Sequence, residues 1–323
     1  MLNVVIDKNM VQIGTRFAVA FYRTLRIPDD GRAYPLPPGL GRISIFDVKD
    51  YAAKIPPDWL EEGGAFIPMY QREALWLGFR AAAWKPNAVK ITVGGVNVIS
   101  GKLDHSYTLN EPQDYIVSPE QIWLDGINAG HGTIRQFVAM PLGLGYTVES
   151  LVTGTEEFGG IQLTVFEPKP GIFPDKPPPK TTIEHGRLGR PQSAVPVTQQ
   201  MGIGAGGIMK QKIYPDIHGI NVWNQDSSGR ITIHILNTGQ FRKITGQEPP
   251  PTSIDAKTYT EHGLPWFSLY EETKGDVRPP DNFQHVKTVS MRDKELGRDS
   301  YFHQSVDVDE AHVRKLGSKP DDD

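Results

Sequence analysis

Gly202, Gly204 and Gly207 in "MGIGAGGIMKQKI" (201–213) stand at G-x-G-x-x-G spacing. With that spacing a dinucleotide-binding turn brings a pyrophosphate against backbone N–H groups at a helix start. The chemistry needs a strand into the turn and a long helix out of it. Here the approach, "SAVPVTQQ", contains a proline and a polar Thr-Gln-Gln, and the exit, "IMKQKIYP", alternates like a strand and stops at proline. Asp226 follows at a suitable distance, but the flanks do not place it. The stretch reads as a turned or flexible loop entering a strand, and no nucleotide cofactor is expected.

The other reactive residue types are scattered. The chain has no G-x-x-x-x-G-K-[S/T], no G-x-S-x-G and no H-E-x-x-H, so it announces no phosphate loop, nucleophile elbow or zinc helix. Its 9 histidines stand singly, none at i,i+2 or i,i+4 from another. A divalent-metal site would have to be assembled across strands, and the best set is Asp216, His218 and His234. Asp216 and His218 share a face if their segment is extended. The plainer reading is a turn histidine beside Gly219 and a packed histidine on a half-buried strand. Adjacent carboxylates at Glu61-Glu62, Glu156-Glu157 and Glu271-Glu272 could serve a glycoside hydrolase. Chain neighbours point apart, however, and all three pairs lie in loop-like context, so solvated surface is the simpler role. Among the 6 tryptophans, Trp76, Trp123, Trp223 and Trp266 are the candidates for a ligand platform or an interface seal. Core and interface use is favoured over ligand stacking. No basic stripe interleaves with these rings, which argues against nucleic acid.

The elements that must position these residues are mostly strands. The 33 glycines and 27 prolines in 323 residues favour short strands and loops over long helices. "NVVID", "VQIG" and "RFAVAFYRTLRI" predict a hairpin or meander, and 28–42, "PDDGRAYPLPPGLGR", predicts an ordered loop with some polyproline II. A short helix is expected over 47–55 with Asp47 as cap, and "PPDWLEEGG" adds a turn. Residues 65–82 fit either period. Strands dominate 87–166, with a hairpin at Gly94-Gly95 and a short helix over 146–154 ended by Gly154. A helix over 253–263 is expected to start at Ser253 and stop at Gly263, and the C-terminal tail to form a short helix and fray.

The organisation this predicts is an N-terminal β-rich domain (1–166), a Pro-rich linker or arm (167–200), a second β-rich region with short helices (201–290) and a tail (291–323). The expected fold class is β-rich α+β, with antiparallel sandwich-like domains and long Pro/Gly-rich loops. A net charge of −4 gives no field that would draw nucleic acid or anionic lipid. The absence of cysteine excludes disulfides, thiol catalysis and iron–sulfur clusters. The first residues do not read as a leader peptide, and no run approaches the roughly 18 apolar residues of a spanning helix. A cytoplasmic protein is expected.

Several long stretches, in order, carry a resemblance: "RTLRIPDDGRAYPLPPGLGR", "IPMYQREALWLGF", "PEQIWLDGI", "IRQFVAMPLGLGYTVE", "GGIQLTVFEPKPG", "MGIGAGGIMKQKIYPD" and "ITGQEPPPTSIDAKTYTEHGLPWFSLYEE". Together they resemble a family of uncharacterised conserved bacterial proteins of actinobacterial type, from about residue 16 to about 290. The family carries no assigned activity, so the resemblance implies no catalytic residue. It implies that the two halves are one inherited unit. The functional expectation is a non-catalytic binding or self-assembly protein, a homo-oligomer with itself as partner. Two alternatives stand beside it: a hydrolase on a carbohydrate or small polar substrate using distant carboxylates or a His/Asp metal site, and a carbohydrate-binding module. No cofactor is expected apart from the metal alternative.

Overall fold

A computed structural model describes residues 1–176, 200–249, 255–269, 274–298 and 304–316. Its β-branched and aromatic N-terminal segments form a meander, as the sequence predicts. β1 (Val4–Asp7), β2 (Met10–Ile13) and β3 (Phe17–Thr24) pair antiparallel in succession. The stretch 28–42 holds only the short strands β4 (Ala33–Tyr34) and β5 (Gly39–Arg42), because its prolines offer no ladder donor. β6 (Phe46–Asp47) leads into a 3-10 turn, Val48–Tyr51, where Asp47 accepts from the Lys49 N–H; α1 (Pro57–Glu62) follows with proline in its first turn.

The ambiguous stretch 65–82 is two strands, β7 (Ala65–Met69) and β8 (Ala74–Arg80). β9 (Asn87–Val93) turns at Gly94-Gly95, both at positive φ, into β10 (Val96–Asn97), the geometry a two-residue hairpin demands. β11 (Ile116–Ser118) pairs with β9 and β12 (Trp123–Leu124) with β8. β13 (Gly126–Gly130) and β14 (Thr133–Pro141) form a hairpin; α2 (Val148–Thr153) runs from its Thr147 cap to Gly154; β15 (Ile161–Pro168) comes next. Prolines 177–179 and most of the expected arm lie outside the described residues. The chain continues with β16 (Gln200–Lys210), β17 (Trp223–Asn237), α3 (Thr238–Thr245), α4 (Ala256–Glu261), β18 (Trp266–Leu269), α5 (Val289–Glu295) and β19 (Val313–Leu316).

Four local expectations change. The helix expected over 47–55 is only the 3-10 turn Val48–Tyr51. The glycines of "MGIGAGGIMKQKI" do not form a turned loop: they lie inside β16, which pairs antiparallel with β14. Alternation cannot be read where side chains are missing, and what these glycines supply is close approach. A Cβ on Gly204 would stand 2.9 Å from Met140 Cγ and 3.0 Å from the Tyr146 carbonyl oxygen. α4 starts at Asp255, whose carboxylate accepts from the Thr258 N–H at 2.8 Å; Ser253 lies outside the described residues. The tail holds a 3-10 turn at Glu310–His312 and then β19, where the sequence predicts a helix.

Strands from both sides of 167–200 join one sheet. β16 pairs with β14, while β17 pairs antiparallel with β15 and parallel with β7. The regions read as 1–166 and 201–290 are thus joined through backbone ladders, a pairing that no local pattern records. Two ladders, β2–β3–β8–β14–β16 and β7–β17–β15–β9, meet where Gln200 pairs with Leu236. Phe21, Leu77 and Phe137 of the first and Ile91, Leu163 and Ile233 of the second belong to one buried cluster. The fold is β-rich α+β and sandwich-like, with short helices at its margins. Among the described residues no helix is long and apolar enough to cross a membrane.

Candidate functional site

Three strands share one short pattern: Lys90-Ile-Thr-Val on β9, Gln162-Leu-Thr-Val on β15 and Arg230-Ile-Thr-Ile on β17. Side chains alternate across a strand, so the apolar members enter the core and the polar ones emerge on the other face. Register then lines them up. Thr164 stands opposite both Lys90 and Arg230, and Gln162 opposite both Thr92 and Thr232. The result is a polar patch two rows deep across three strands.

The loop 104–108 lies over one side of this patch and is held by Lys90. The ammonium, on a side chain only 2% exposed, contacts Asp104, Asp114 Oδ2 at 3.0 Å, Ser106 Oγ at 3.2 Å and the Thr108 carbonyl. Burial would push the Asp104 carboxyl up, but hydrogen bonds from Lys90 and Ser106 outweigh it and hold the group below its usual range. Lys90 is therefore a structural pin, spent on the loop. Gln162 is also spent: its carbonyl oxygen accepts from Thr92 Oγ1 and the Gly95 N–H, and its amide donates to Gly159.

What remains is a cleft of about 420 Å³. Its walls carry Lys49, His105, Tyr107, Thr164 and Arg230, whose side chains hydrogen-bond to no other described residue. Tyr107 and Phe158 are about half exposed at the rim. The Arg230 guanidinium lies 3.3 Å from the Tyr107 ring centre, and His105 packs 4.8 Å from Phe158. Glu62 of α1 closes the far end by accepting from Thr232 Oγ1 at 2.7 Å. Such a surface offers hydroxyls, a guanidinium, an imidazole and two aromatic faces to a polar ligand.

The set Asp216, His218 and His234 is not brought together. Asp216 accepts from Tyr115 Oη at 2.7 Å, Trp223 Nε1 at 2.8 Å and the His218 N–H at 2.7 Å. It is a hub for packing, and with burial it pushes the Tyr115 phenol up. His218 stands edge-on to Phe173 and Trp223, with Nε2 3.8 Å from Glu120. His234 lies far along β17 from Trp223, about 36 Å at strand rise. There it stacks on Trp59 at 4.2 Å and meets the Gly63 carbonyl at 3.1 Å. Burial lowers its pKa against the opposing pull of that carbonyl and Glu62. Among the described residues no group of three or more His, Asp or Glu side chains is gathered to hold a metal.

The tryptophans divide. Trp223 and Trp266 are fully buried, their indole N–H groups given to Asp216 and Thr260. Trp76 and Trp123 stay partly open beside a shared hollow. Of the carboxylate pairs, Glu156 is spent on the Gly143 N–H and the Thr147 hydroxyl, and Glu271-Glu272 lies outside the described residues. Sequence reasoning missed the cleft, although the repeated polar-apolar-Thr-apolar pattern signals it. Comparisons of the chain with protein-family models, curated proteins and solved structures found no match.

Proposed function

We propose that this is a non-catalytic binding protein whose cleft over β9, β15 and β17 takes a polyhydroxylated ligand of the carbohydrate class. One observation carries the reading: unspent hydroxyl, imidazole and guanidinium groups stand beside two exposed rings on a rigid sheet face. Sugars are held by that combination of hydrogen bonding and ring stacking. The three carboxylates that line the cleft favour binding over hydrolysis, because Asp104 is tied to Lys90, Glu62 to Thr232 and Asp47 to the Lys49 N–H.

A glycan array followed by calorimetry on the best hit tests this. Tyr107→Ala and Arg230→Ala should each weaken binding by about tenfold, the scale of a central contact residue, and leave the melting temperature in place. Silence across the array, or a hit indifferent to both substitutions, removes the reading. Release of reducing sugar during the titration would favour the hydrolase instead.

Self-assembly into a homo-oligomer belongs to the same proposal and rests on sequence features, the edge-type aromatics and the Pro-rich arm. Light scattering at micromolar concentration is expected to give a multiple of 35.9 kDa; a strict monomer removes that part. Membership of the actinobacterial-type family is likewise proposed, on the long motifs alone.

A further inference from the structure

The outer face of β3, β8 and β12, away from the cleft, carries a row of aromatics. Register sets Trp76 opposite Tyr22 and Trp123 opposite Gly78. Tyr22 and Trp76 stack at 4.1 Å with planes 7° apart. Gly78 allows this, since a Cβ there would stand 2.8 Å from Tyr22 and 2.9 Å from Trp76. Asp125, between β12 and β13, lines the same hollow as Trp76 and Trp123. Phe267 and Leu316 of the β18–β19 ribbon close the other side with Leu36, whose backbone bridges to Phe267. Together these residues bound a pocket of about 240 Å³, too small for a drug-sized molecule and suited to a compact headgroup.

Asp125 is the unusual member. It is 4% exposed, and among the described residues its side-chain partner is the neutral Gln211 amide, donating at 2.8 Å. No other ionisable side chain lines the pocket. A buried carboxylate without a counter-charge is costly, and here burial pushes its pKa to about 7 against the Gln211 hydrogen bond. Aromatic walls around an uncompensated carboxylate are complementary to a cation whose charge is wrapped in methyl groups. We propose that this pocket binds a small organic cation, an alkylammonium or quaternary ammonium group, held by the indoles of Trp76 and Trp123 and the carboxylate of Asp125.

The test is calorimetry on the full chain with choline chloride, at constant ionic strength, against choline's uncharged carbon isostere. Choline should bind at least about tenfold tighter than the isostere. Asp125→Asn should abolish that preference. Trp123→Leu, which keeps the apolar wall, should weaken choline by about tenfold. Because the carboxylate must be ionised, choline affinity falls about tenfold per pH unit below about 7. Thermal melts separate a folding defect from a lost site. The folded pKa of Asp125 is raised, so its contribution to stability is full below the unfolded value near 3.8 and is lost as pH rises through about 7. Asp125→Asn should therefore melt higher than the parent near pH 8 and not near pH 4. Equal binding of choline and its isostere, choline binding unchanged in both variants, or no millimolar binding to the folded parent overturns the proposal.

Discussion

Gly207→Ala is expected to cost the fold about 3 kcal/mol or more, read as a lower urea midpoint at unchanged slope. The added Cβ would lie 2.2 Å from the Pro28 carbonyl oxygen and 3.0 Å from Ile27 Cγ1. Backbone, unlike a flexible side chain, cannot swing aside. The site is also over-determined. Between β14 and β16 the register shifts, with Arg135 opposite Ile208 and Phe137 opposite Ala205. Gly206 and Gly207 thus face Gln136 alone, which makes a bulge. The buried Gln136 amide then satisfies the passing segment, accepting from the Ile27 N–H at 3.1 Å and donating to the Leu25 carbonyl at 2.9 Å. Moving the segment to make room would break both bonds. Gly239 in α3 is the control: only Asn237 Oδ1, the cap that accepts from the Gln240 N–H, is near its missing Cβ, at 3.3 Å, and Gly239→Ala should change stability by no more than about 0.5 kcal/mol. A Gly207→Ala protein as stable as that control would mean the close approach at residues 27–28 is not obligatory.

Asp293→Ala is expected to cost about 3–5 kcal/mol, the scale for stripping one partner from a buried ion pair. Asp293 on α5 is fully buried and takes both Arg72 guanidinium nitrogens at 2.6 Å, with Tyr146 Oη also at 2.6 Å. Arg72 sits in the β7–β8 turn at φ +70°, a conformation an L residue adopts at a cost. The pair therefore clamps α5 onto the connection between β7 and β8 and holds a strained turn. The loss should appear first as protease cleavage within 289–298, with chemical denaturation giving the total. Arg72→Leu combined with Asp293→Leu should recover part of the stability, since the bidentate pair is then removed whole while the buried Arg26 guanidinium beside it keeps Asp29. A double variant as unstable as Asp293→Ala would show that the unpaired Arg72 charge does not set the cost.

Local chemistry was legible wherever one residue decides one backbone group. Asp47, Gly94-Gly95 and Gly154 act where their types predict, because caps and tight turns depend on nearest neighbours. The glycine run is illegible for the opposite reason: what needs its missing side chains, Ile27 and Pro28 against Gly207 and Met140 and Tyr146 against Gly204, lies far away along the chain. The cleft was half legible. Its three matching tetrapeptides are plain in the sequence, but only register shows that Lys90, Thr164 and Arg230 stand in one row. Asp125 gives no signal, since an aspartate two residues after a tryptophan on a short strand looks like an ordinary turn residue until its burial is known.

The parallel pairing of β7 with the end of β17 also governs the order in which the protein can be built. Ala65–Met69 is synthesised early, yet its partners at Ile233–Asn237 come after more than half the chain has followed. β15 waits in the same way for Ile231 and its neighbours. Until β17 emerges, the nascent chain carries two open β edges rich in apolar side chains, the kind of surface that recruits other chains. Assembly is therefore slow and dominated by distant contacts, and a polypeptide truncated before residue 223 is an aggregation hazard, not a smaller working domain.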